Sequence, residues 1–132
     1  KIKILSRNSH LYSTKRLVEA ATKRKHDVEV VDPLKCDIVI EKRKPNIYYK
    51  GGYIEGVDAV IPRIGASVTF YGTAVVRQFE MMGAFTTTDS EALVRSRDKL
   101  RSLQVLSRAK IGLPKTVFTN YSRDVSGVIK QV

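Results

Sequence analysis

The feature that most constrains this chain lies in its first thirty or so residues. Two short aliphatic runs, residues 1–5 and 27–31, bracket a stretch at 13–25 with helical periodicity. In that stretch Leu17, Ala20 and Ala21 fall inward, while Lys15, Arg16, Glu19 and Lys23 fall outward. The polar turn Ser6-Arg7-Asn8-Ser9 separates the first strand from the helix, and Asp32-Pro33 ends the second strand. A strand–helix–strand unit of this length is a βαβ unit. Its two strands, joined through a helix, run parallel in one sheet. The rest of the chain must extend or decorate that sheet.

Residues 37–40 form a third, short strand, followed by the charged turn Lys42-Arg43-Lys44-Pro45. Residues 47–54 read as a β-hairpin around Lys50-Gly51-Gly52 that decorates the sheet. Residues 59–61 are a buried strand leading into Pro62-Arg63-Ile64-Gly65. The helix over 68–82 carries Tyr71, Ala74, Val75, Phe79 and Met82 at helical spacing, and Gly83 ends it. After a short strand at 85–86, Thr88 and Glu91 have the capping-box spacing. A helix over 98–109 places Leu100, Leu103 and Leu106 on one face, and Ile111-Gly112-Leu113-Pro114 stops it. A strand is expected at 115–119 and a helix from 122 onward. The fold class is therefore α/β, a mostly parallel sheet with helices on both faces.

Ligands on such sheets bind at the carboxyl ends of the strands. That rule puts Ser6 and Arg7 on the functional edge, together with Arg63 and Gly65. No Gly-x-Gly-x-x-Gly turn follows the first strand and there is no P-loop, so dinucleotide and GTP chemistry are excluded. Arg63, between a rigid proline and a glycine turn, can grip a carboxylate or phosphate through two parallel hydrogen bonds. The backbone from Gly65 to Thr69 offers N–H groups at a helix start. The plain alternative is an arginine paired with a structural acid. Lys99 stands in the first turn of a helix, where a cation opposes the helix dipole and a bound anion would offset it. The alternative there is a solvated basic face.

A net charge of +11 draws polyanions, whether nucleic acid, acidic polypeptide or nucleotide phosphates. The single Cys36 cannot form an internal disulfide, and with two isolated histidines it gives no zinc spacing. The acids are dispersed, and none forms a cluster suited to magnesium. No apolar run spans a bilayer and no signal-peptide pattern is present, so a cytoplasmic location with no membrane partner is expected. The residues by themselves show no complete active site. Lys1 in place of a methionine implies a start that is processed, trimmed or unseen.

Several stretches resemble the RimK-like ATP-grasp ligases. They are Ile4-Leu5-Ser6-Arg7, Leu11-Tyr12-Ser13 with Arg16-Leu17, Asp32-Pro33-Leu34, the specific run from Val60 to Gly65 and on through Thr69-Phe70-Tyr71-Gly72-Thr73-Ala74 and Arg77-Gln78-Phe79-Glu80, and Arg97-Asp98-Lys99-Leu100-Arg101-Ser102. The resemblance runs through the whole chain. It implies a Rossmann-like pre-ATP-grasp domain at 1–91, followed at 92–132 by linking helices and the truncated start of an ATP-grasp domain. It implies an ATP-dependent carboxylate–amine ligase that adds glutamate to the carboxyl end of a small-subunit ribosomal protein through an acyl phosphate. ATP and Mg2+ are the implied cofactors, and an acidic carboxyl-terminal tail and glutamate the implied partners; a homo-oligomer is left open. Lys99 matches the lysine that meets nucleotide phosphates, whereas catalytic residues and metal ligands are expected beyond Val132, so the chain alone is expected to be inactive. Arg63, with Gly65, Ser6 and Arg7, is expected to hold the substrate carboxylate. The alternatives are a basic RNA- or ribosome-binding domain and a paralogous glutamate ligase acting on a coenzyme or carrier protein.

Overall fold

The structure is a computed structural model that describes residues 1–120 and 125–130. It divides into two compact units, Lys1–Val94 and Arg95–Val132, each described by itself.

The first unit opens with strand β1 (Ile2–Leu5), helix α1 (Tyr12–Lys23) and strand β2 (Val28–Val31). Strands β3 (Cys36–Val39), β4 (Asn46–Tyr49) and β5 (Gly52–Tyr53) follow, then β6 (Ala59–Pro62), helix α2 (Thr69–Met81), β7 (Phe85–Thr86) and helix α3 (Ser90–Arg97), whose last three residues belong to the second unit. Strands β1, β2, β6 and β7 form a parallel sheet in the order β2-β1-β6-β7. The chain is thus a mixed α/β fold on a four-stranded parallel sheet.

Register explains how the helices divide. Lys3 and Leu5 align with Glu29 and Val31 on one side and with Val60 and Pro62 on the other, so these side chains share one face. Leu5, Val31 and Val60 join Val75, Val76 and Phe79 of α2 in the main core, so α2 covers that face. Ile2 and Ile4, with Val28, Val30, Ala59 and Ile61, point to the other face. The right-handed crossover from β1 to β2 places α1 there.

The expected third strand does form, but it does not extend the parallel sheet. β3 pairs antiparallel with β4, and β4 with β5, as a separate three-stranded sheet. That sheet is fastened to α2. Tyr71 donates its hydroxyl to the Cys36 carbonyl at 2.7 Å. Gln78 donates from Nε2 to the carbonyls of Val39 at 2.8 Å and Asn46 at 2.9 Å.

The capping box expected from Thr88 and Glu91 is replaced by other groups. Asp89 caps α3, its carboxylate accepting from the Ala92 N–H at 2.6 Å. Glu80 reaches over from α2 and accepts from the Ser90 N–H at 2.7 Å and the Ser90 hydroxyl at 2.8 Å.

In the second unit, helix α4 (Lys99–Arg108) is capped by Asp98, which accepts from the Arg101 N–H at 3.0 Å. Residues 115–119 are irregular rather than a strand. Helix α5 (Val125–Ile129) lies within the stretch expected to be helical, and the remainder of that expectation, at 122–124 and 131–132, falls outside the described residues. Among the described residues no helix is long and apolar enough to cross a membrane.

Candidate functional site

From β1 the chain leaves through α1 toward β2, and from β6 it leaves through α2 toward β7, on opposite sides of the sheet. The loops after β1 and β6 therefore part from neighbouring strand ends. This is the switch point where open α/β sheets form a binding crevice.

The β1–α1 loop is shaped by Ser6, which is 3% exposed. Its N–H donates to the Val31 carbonyl at 2.9 Å, adding one step to the ladder with β2. Its hydroxyl lies 3.2 Å from the Thr14 hydroxyl and 3.1 Å from the Asn8 carbonyl. The Ser6 oxygen thus ties the loop to the first turn of α1. Arg7, next in sequence, is exposed.

Arg63 sits on the other wall. Its N–H donates to the Leu5 carbonyl at 2.8 Å, holding its backbone against β1. Arg63 has the same parity as Ile61 and projects toward the α1 face. There Nη2 donates to the Ser13 hydroxyl at 3.0 Å. The side chain is exposed, and among the described residues no carboxylate ion-pairs with Arg63 or Arg7. A structural acid does not account for Arg63, and the rest of its donor fork faces solvent.

Both helices that follow these loops begin at the same edge, because each succeeds a parallel strand. Neither α1 nor α2 has a side-chain cap or an acid in its first turn. Their N–H ends add positive potential to that of the two guanidinium groups. Gly65 has φ −73° and ψ 156°, an ordinary extended conformation, and beyond its chain neighbours no atom lies within 4 Å of where its Cβ would be. It is not required by backbone strain; it leaves room in front of the loop.

Ser6, Arg7, Arg63 and Gly65 are thus brought to one edge of the first unit. Lys99 belongs to the second unit, exposed at the first position of α4. A groove of about 980 Å³ runs beside it. Leu100, Leu103, Leu113, Pro114 and Phe118 supply its apolar wall, while Lys99, Arg108 and Lys115 supply cations.

Two participants escaped the sequence reading. Ser13 stood as the start of a helix and as one residue of the Leu11-Tyr12-Ser13 stretch, with no role toward a ligand; its hydroxyl position next to a switch-point loop was the usable signal. Gly72 carried no local mark of its close approach to the Ile64 side chain. Cys36 is buried, and its thiol is pushed up to about 12 by burial first and then by the charges of Asp32 and Asp37. It is no nucleophile. Among the described residues no group of three or more His, Cys, Asp or Glu side chains could hold a metal ion.

Residues 1–93 match the family model of the RimK PreATP-grasp domain. Over all 132 residues the chain is 57% identical to a probable alpha-L-glutamate ligase of Hydrogenovibrio crunogenus, 59% to one of Vibrio cholerae and 63% to one of Cellvibrio japonicus. In each case it spans 44% of the relative's length.

Proposed function

The chain belongs to the RimK pre-ATP-grasp domain family, and from that premise we propose that it is the substrate-side part of an ATP-dependent alpha-L-glutamate ligase. The observation that carries the reading is Arg63, held by Ser13 at the switch point with no carboxylate among the described residues paired to it. A guanidinium fixed at one nitrogen and open at the others suits a carboxylate arriving from solvent. Arg7 and the two uncapped helix starts add to its field. Ser6 holds the loop in shape rather than touching substrate. Open space at Gly65 lets a ligand approach the backbone.

The acceptor we propose is the acidic carboxyl end of a small-subunit ribosomal protein. Each added glutamate makes such a tail more anionic, so a positive edge serves every round of addition. Lys99 would meet the phosphates of ATP, and the apolar wall with its cationic rim beside Lys99 fits a nucleotide's chemistry. When bound, ATP supplies the activation of a carboxylate toward an amine. The described residues offer no fitting site for magnesium.

The test is Arg63→Ala in the complete enzyme. Losing charge-assisted hydrogen bonds of roughly 1.5–3 kcal/mol raises KM for the carboxylate substrate about 10- to 100-fold, with a smaller change in kcat. Arg63→Lys restores only part, because an ammonium lacks the planar fork. An unchanged KM refutes the assignment.

A further inference from the structure

We infer that Gly72 is a positioning residue for Arg63, acting through Ile64; the inference rests on the reading of Arg63 given above. A Cβ added at Gly72 would lie 2.5 Å from Cγ2 of Ile64 and 3.1 Å from its Cδ1. No such carbon–carbon approach is tolerated, so α2 can come this close to the turn only through a glycine. Gly72 does not need its freedom of φ, since it lies inside a regular helix, where glycine is a poor choice. What the position uses is the absence of a side chain.

The partner atom cannot easily yield. Cγ2 hangs directly on the Ile64 Cβ, so only rotation about χ1 or movement of the backbone displaces it, and a β-branched χ1 is stiff. Ile64 is 6% exposed and belongs to the main core cluster with Val75, Val76 and Phe79, so rotation meets filled space. Displacement passes to the backbone of the turn. That turn is one peptide from Arg63, whose N–H is fixed on the Leu5 carbonyl. Arg63 therefore sits between two anchors: the β1 ladder before it, and the Ile64 side chain against bare α2 backbone after it. Moving the second anchor swings the guanidinium away from Ser13 and from any carboxylate it would hold.

The experiment measures kcat and KM for the carboxylate substrate in the complete enzyme carrying Gly72→Ala, Ile64→Ala, the pair Gly72→Ala with Ile64→Leu, and Arg63→Ala. Gly72→Ala is expected to raise KM about five- to tenfold with kcat changed less than about twofold, the pattern of a misplaced binding group. Leucine has no methyl on its Cβ and conserves volume, so the double variant is expected to return KM to within about twofold of the parent. Ile64→Ala frees the turn from the other side and is expected to raise KM too. A purely structural role would shift thermal stability in these variants without the KM rise or its relief. Unchanged KM in Gly72→Ala or in Ile64→Ala, while Arg63→Ala raises it, overturns the inference and leaves the Arg63 reading standing. A KM rise that the double variant does not relieve also overturns it. If Gly72→Ala does not fold, Ile64→Ala decides alone. Unchanged KM in Arg63→Ala removes the reading beneath it, and the inference falls with that.

Discussion

At the scale of single residues, exposure and engagement separate groups of similar chemistry. Ser6 and Ser13 both stand at the switch point, yet Ser6 is buried among Thr14 and Asn8 while Ser13 receives the Arg63 side chain. Gly65 and Gly72 differ in the same way, one facing open space and the other pressed on Ile64. Gly65→Ala is accordingly expected to leave stability within about 0.5 kcal/mol of the parent. It should weaken substrate binding if the ligand approaches that backbone, and paired urea melts and substrate titrations check both halves. Cys36 gives a third expectation. With its pKa raised to about 12, the folded protein keeps the thiol protonated across a range where an unfolded chain ionises. Stability from this group is full below the unfolded value near 9 and is lost as pH rises toward 12. At pH 8 iodoacetamide should label Cys36 only after denaturant is added; ready labelling of the native protein would contradict its burial. Arg63 was legible in the sequence because strand-end placement follows from the alternation of elements. Ile64 against Gly72 was not, because the two meet through packing that neither local spacing records.

The elements of the first unit depend on side chains that cross between them. Gln78 is buried on α2 and closes the small sheet by donating to the carbonyls of Val39 and Asn46, which flank the β3–β4 turn. Gln78→Leu keeps the volume but removes both donors. Two carbonyls that each lose this donor cost about 2–3 kcal/mol together, and the small sheet should loosen first. Hydrogen exchange resolved by residue is expected to accelerate over 36–54 more than over 2–5 or 59–62; uniform acceleration would show that Gln78 is not the clamp. The same dependence explains where element assignments from sequence succeeded. Strand β3 was readable from its aliphatic run, but its sheet was not, since pairing with β4 is chosen by the hairpin and by α2. The capping box failed because Thr88 and Glu91 have the right spacing, whereas Glu80, ten residues before Ser90, supplies the acceptor from another helix. Residues 115–119 have strand composition, and composition becomes a strand only with a partner to pair with.

For the whole molecule the question is what the net charge of +11 serves. An acidic tail and an RNA strand both answer to positive potential, so affinity alone does not tell them apart. Location does. An acidic peptide held as proposed depends on Arg63, whereas a polyanion held by diffuse charge depends as much on the turn at Lys42, Arg43 and Lys44. That turn lies between Val39 and Asn46, where Gln78, near the last turn of α2, bonds both, at the other end of that helix from the Arg63 loop. Binding of a polyglutamate peptide and of a single-stranded oligoribonucleotide should therefore be measured across a salt series in two variants, Arg63→Ala and the triple change of Lys42, Arg43 and Lys44 to Gln. The ligase reading expects the parent to bind the peptide with a shallow salt slope, because a fixed hydrogen-bonded pair is screened less than loose surface charge, and Arg63→Ala to weaken the peptide about tenfold or more at fixed salt. The triple variant should then matter little to the peptide. If instead the oligonucleotide binds more tightly, with a steep salt slope that the triple variant flattens and Arg63→Ala does not, the charge serves nucleic acid.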